Sequence, residues 1–134
     1  MPEIVAFVRQ GATKITPRVV DELLHKLPLW KAGFTQIDAP THPHLVSQLL
    51  FLADAVEDVA EGAYKELPYV AFAEAVFALT YCHKGFNIIP DSVPNLGRAD
   101  DSSVVRAVLI QNEKEFEKYS LKNGVNWNAV TSKP

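Results

Sequence analysis

The stretch YVAFAEAVFALTYC (69–82) constrains this chain more than any other: fourteen residues, apolar almost throughout and interrupted at Glu74. At helical period, Tyr69, Phe72, Val76, Leu79 and His83 form one stripe. Ala71, Ala75, Ala78 and Cys82 form a second, built of small side chains. A helix with two apolar faces must be covered on both, so the segment from Pro68 to Lys84 is expected at the centre of a bundle. Its small stripe lets a neighbouring backbone come close. Spanning a bilayer takes about 20 apolar residues, so this is a core helix and not a membrane span.

The rest of the chain repeats the helical period. Ile4 to Val8 reads as a short helix ended by Gly11. Thr16-Pro17 reads as an N-cap followed by proline in the first turn. Val20, Leu23, Leu24 and Leu27 then continue at helical spacing until Pro28, which is expected to stop the run. Residues 28–43 read as a connector whose Trp30, Phe34 and Ile37 plug into the bundle. From Thr41, Leu45, Leu49, Leu52, Val56, Val59 and Ala63 step by four and three, with Asp54, Glu57, Asp58 and Glu61 on the remaining face. Gly62 marks the end of that helix, and Gly85 that of the apolar one. A last helix is expected over 101–123, with Val105, Leu109, Phe116 and Tyr119 inward and Gly124 at its end. Residues 124–134 form a polar tail anchored by Trp127. No period-2 pattern is sustained. The expectation is one all-α domain over 1–134, a small bundle of four or five helices.

Between the last two helices lies NIIPDSVPNLGRADD (87–101), a structured Pro/Asp-rich loop. Pro90 and Pro94 hold their φ angles and push Ile89 and Val93 out of helical geometry. Gly97 suits a positive φ. Asp100 fits as N-cap of the last helix, with Asp101 facing its positive end. Every residue of the loop has a structural role without any ligand.

Tyr81 together with Pro90, Asp91, Pro94, Gly97, Asp100 and Asp101 resembles the signature of the YkvA-like domain family, over about residues 66–112. The family's first aspartate is Asn87 here. The family has no established activity, so the resemblance implies a helical hairpin with an acidic loop and assigns no reaction. The family's apolar helix also suggests membrane proximity, which Glu74 interrupts.

Charge narrows the function classes. Residues 1–35 carry five Lys/Arg against three Asp/Glu, 36–66 one against six, and 67–134 seven of each, for a net −3. No basic face exists of the kind phosphate neutralisation needs, which argues against nucleic acid as a partner. The acidic middle argues against a membrane-surface role. A single cysteine, Cys82, fits a reducing compartment, and MPEIVAFVRQ lacks a basic start and a long apolar run, unlike a signal peptide. These features point to a cytoplasmic protein.

Candidate binding residues are Asn87, Asp91, Asn95, Asp100 and Asp101 in the loop, with Glu74. Asp91, Asp100 and Asp101 are the set that would hold Mg²⁺ or Ca²⁺, since hard cations take several oxygens; caps and turns explain the same aspartates without metal. Glu22-Leu-Leu-His25 is half of a di-iron motif whose second half is missing. His42-Pro-His44 reads as a surface feature. Cys82 and His83 are helix neighbours that diverge, and Cys82 reads as a buried thiol. Glu74, a carboxylate on an apolar helix, must be paired, hydrogen-bonded or at a mouth; it could face a cavity or serve as a general base, but reaching the bundle edge or meeting Arg98 or Arg106 is the favoured expectation. No catalytic motif is present, and no cofactor is called for.

The first expectation is therefore a non-enzymatic interaction or scaffold module, acting as a homodimer or with a protein partner. Trp30, Phe34 and Phe51 cannot all be assigned to one core from the sequence, which motivates the dimer. A divalent-metal-binding protein or metal-dependent enzyme using loop 87–101 is the alternative, and a membrane-associated helper the second.

Overall fold

The computed structural model describes residues 2–84, 99–130 and 133, and among these every regular element is a helix. In chain order they are α1 (Pro2–Ala12), α2 (Pro17–Phe34), α3 (Leu45–Ala60), α4 (Tyr69–Lys84), α5 (Ala99–Gln111), α6 (Glu113–Lys122) and α7 (Trp127–Val130). Five long bodies (α1, α2, α3, α4 and the α5/α6 pair) make the bundle, and α7 adds a single turn. No helix among the described residues is long and apolar enough to cross a membrane. Gly85, Gly97 and the loop prolines lie outside the described residues.

Helix α4 is the centre. It packs against α1, α2, α3 and α5. Ala71, Ala75, Ala78 and Cys82 are all buried, as are Phe72, Val76 and Leu79 on the other stripe; only the ends, Tyr69 and His83, are exposed. On the α1 side the approach is close enough that a Cβ on Gly11 would fall 2.2 Å from the Phe77 ring. With α5, α4 forms an antiparallel hairpin: Tyr81 near its end meets Asp100, and Glu74 near its start meets Asn112.

Local signals hold at three helix ends, whereas Gly11 does not end α1, which runs on to Ala12. Thr16 accepts a hydrogen bond from the Val19 amide at 3.2 Å, with Pro17 next in line. Gly62 and Gly124 take φ values of 80° and 68°, the left-handed conformation that closes α3 and α6.

Three expectations are corrected. Helix α2 does not stop at Pro28 but runs on to Phe34. A proline inside a helix costs about 3 kcal/mol. Leu23, Leu27, Trp30 and Phe34 nevertheless keep one buried stripe across it, and burying each such side chain is worth roughly 1.5–3 kcal/mol. Pro28 itself faces solvent. The last helix is not continuous: it breaks at Asn112, whose φ of −121° and ψ of 29° lie outside the helical region. And α3 starts at Leu45, because residues 41–44 form turns.

The dimer argument loses its premise. Trp30, Phe34 and Phe51 are all buried within one chain. Phe51 meets Phe116, Tyr119 and Trp127 edge-on, with centroids 6.0, 5.5 and 5.8 Å away. Trp127 thus anchors the tail as expected, joined by buried Val130. Buried Gln48 adds a third tie, donating to the Lys133 carbonyl at 2.8 Å.

Candidate functional site

The candidate residues fall at opposite ends of the α4–α5 hairpin. Asp100 and Asp101 stand in the first turn of α5, where free amides and the helix dipole favour negative charge. Both are buried, at 5% and 0% exposure. The role expected for Asp100 changes. The helix already includes Ala99, and Asp100 Oδ2 accepts a 2.7 Å hydrogen bond from the Tyr81 hydroxyl. Asp100 therefore stands inside the first turn of α5 and ties α4 to α5. Beside it, the Cys82 thiol sits 3.9 Å from the Asp101 carbonyl, a buried weak donor. Asn87, Asp91 and Asn95 lie outside the described residues. Among the described residues no group of three or more His, Cys, Asp or Glu side chains is placed to hold a metal ion.

Glu74 is seven residues before Tyr81 on the same helix, about 10 Å along its axis. It neither reaches the bundle edge nor pairs with Arg106. It is 1% exposed, and Oε1 accepts from the Asn112 amide at 2.9 Å. The same amide nitrogen donates to the Val108 carbonyl at 2.9 Å. Asn112 is therefore held between Glu74 and its own helix, at the residue where α5 breaks from α6. Ion pairs among the described residues leave Glu74 without a cation.

Glu74 also lines a cavity of about 200 Å³ between α1 and α4, with Arg9, Ala12, Thr13, Tyr69, Val70 and Ala73. The walls are almost wholly apolar. Arg9 is at the exposed side, its Nη2 donating to Gln111 Oε1 at 2.8 Å. Tyr69 reaches over from the start of α4 to donate to the Ile15 carbonyl at 3.1 Å. The sequence signalled Glu74 as anomalous, and Val70 four residues before it shares its helix face. Arg9, Ala12 and Thr13 carried no signal, because only the tertiary packing sets α1 against α4.

The remaining candidates are absorbed by structure. His25 is exposed, its Nδ1 2.8 Å from the Asp21 carbonyl, while Glu22 pairs with Arg18. His83 stacks on Trp30 with centroids 3.9 Å apart. The acidic face of α3 is partly neutralised: Lys31 Nζ lies 2.8 Å from Asp54 and 2.9 Å from Glu57. Its hydrogen bonds to Asp54 and then Glu57 raise the Lys31 pKa. Asp58 accepts from the Tyr119 hydroxyl, and burial first, that bond second, pushes the phenol well above the usual tyrosine range. Burial raises the Tyr64 phenol as well.

Comparison of the chain with protein-family models, with curated proteins and with solved structures finds no match.

Proposed function

We propose that this protein is a non-enzymatic helical interaction module whose partner is another protein chain, a second copy of itself in the first instance. One observation carries the reading. Tyr69 and Val70, adjacent at the start of the central helix, are 62% and 60% exposed although residues 71–82 of α4 are buried or half-buried. Protein interfaces place aromatic and aliphatic anchors of this kind at their centres. The concave, apolar cavity beside the pair gives such a contact shape as well as area. Membership in the YkvA-like family, proposed from the spacing of Tyr81, Asp100 and Asp101 with the loop residues, agrees with a hairpin that assigns no reaction. A cytoplasmic setting agrees with the lone, buried thiol.

The test is solution mass. Light scattering should give twice 14.8 kDa, and the Tyr69→Asp, Val70→Asp double variant should return a monomer. A wild-type mass of 14.8 kDa at every concentration up to the solubility limit would end the self-association reading.

A second reading has one specific observation behind it. Two consecutive carboxylates, Asp100 and Asp101, are both buried in the first turn of α5. Together with Asp91 they supply the kind of oxygens that a hard divalent cation takes.

A further inference from the structure

We infer that the cavity between α1 and α4 is a binding site for a small organic amine, a short apolar body carrying an ammonium group, with Glu74 as its counter-ion. A buried carboxylate is stable only when its lone pairs and its charge are matched. Glu74 offers about four acceptor positions. The described structure fills one, with the Asn112 amide at 2.9 Å. No lysine, arginine or histidine among the described residues forms an ion pair with it. Arg9 lines the same cavity, yet its guanidinium is directed to Gln111 at 2.8 Å and does not close on Glu74. The negative charge is therefore left to be matched from the cavity side.

The walls set the rest of the ligand. Ala12, Val70, Ala73 and the Tyr69 ring present hydrocarbon, and a cavity of about 200 Å³ holds only a small molecule. Sites of this type combine apolar walls with one or two placed polar groups that fix orientation. Here the placed group is anionic, buried and hydrogen-bonded from behind. An ammonium has three donors and suits it; an alcohol of the same shape brings no charge, and a carboxylate would be repelled. The inference does not require self-association, although Tyr69 and Val70 line the cavity and also form the proposed contact surface.

The experiment is titration of the full chain with 3-methylbutylamine, followed by the methyl resonances of Ala12, Val70 and Ala73. Saturable shifts at roughly millimolar concentration are expected for so few ligand atoms. The isosteric alcohol, 3-methylbutan-1-ol, should bind roughly 10- to 100-fold more weakly, the size of a lost charged hydrogen bond. Glu74→Gln should remove that preference. Should Glu74→Gln fail to fold, Val70→Lys replaces an exposed residue four positions before Glu74, so its ammonium can reach the carboxylate intramolecularly. That variant should fold and lose amine binding by about tenfold or more. Absence of saturable shifts in the wild type, equal binding of amine and alcohol, or undiminished amine binding in either folded variant would overturn the assignment. Wild-type solution mass decides self-association, whereas the preference for amine over alcohol and its loss in Glu74→Gln, a buried residue outside the Tyr69–Val70 pair, decide the site, so the two can fail separately.

Discussion

Replacing Asn112 by alanine tests whether the break between α5 and α6 exists to serve Glu74. The amide makes a 2.9 Å hydrogen bond to a carboxylate that is 1% exposed. A hydrogen bond to a charged group contributes about 1.5–3 kcal/mol, and its removal leaves Glu74 buried with no donor among the described residues. Alanine brings no compensating helix propensity, because Asn112 is not in helical conformation. The second bond of the amide, to the Val108 carbonyl, costs little because the Asn112 backbone N–H also donates there, at 3.2 Å. The net expectation is destabilisation by about 1.5–3 kcal/mol. In urea this appears as a lower midpoint at unchanged slope. Replacing Glu74 by leucine removes the need for a donor, and a buried charge exchanged for a well-packed apolar group is often neutral or stabilising. Asn112→Ala should therefore be nearly silent in the Glu74→Leu background. The double-mutant cycle should return a coupling of about 1.5–3 kcal/mol. A coupling below about 0.5 kcal/mol, the ordinary additivity error, would show that the two side chains are neighbours without being partners.

Gly11→Ala should destabilise although alanine favours a helix by about 1 kcal/mol, because the new Cβ would lie 2.2–2.5 Å from three ring carbons of Phe77 and overpacking costs about 1–3 kcal/mol. A rise in Tm, or no recovery on adding Phe77→Leu, would refute the close approach. The raised Tyr119 pKa makes stability pH-dependent at the alkaline end. The unfolded chain releases this proton near pH 10 and the folded one keeps it, so the contribution is complete below about pH 10 and is lost as pH rises beyond it. Urea unfolding above pH 10 should thus show a steeper fall for wild type than for Tyr119→Phe; parallel profiles would contradict it. Thermal stability should be insensitive to Mg²⁺, Ca²⁺ and chelator, in wild type and in Asp100→Asn, which keeps an acceptor for Tyr81. A chelator-induced drop in wild type that Asp100→Asn abolishes would establish the metal reading instead.

Much of the architecture followed from local pattern. The double stripe on 69–84 dictated a central helix, since each apolar face must be buried whatever covers it. Thr16-Pro17, Gly62 and Gly124 set helix ends through backbone conformations that depend on a few adjacent residues. Period and capping are short-range properties, and a sequence states them directly.

Other features depended on what lies opposite, and there local rules misled. Pro28 is a helix breaker in isolation, yet the buried stripe from Leu23 to Phe34 carries α2 through it, because tertiary burial exceeds the local penalty. Asn112 is an ordinary polar residue in the sequence; in the fold its amide meets a carboxylate on another helix at the point where α5 breaks from α6. Glu74 stood out by sequence as a charge needing a partner, but Arg9, Ala12 and Thr13, which complete its cavity, come from a helix sixty residues away that only the packing of α1 on α4 brings near. The sequence by itself determined which faces of which helices had to be buried. The tertiary structure decided what each buried charge would meet, since that is a property of pairs of residues far apart in the chain and no single stretch contains it.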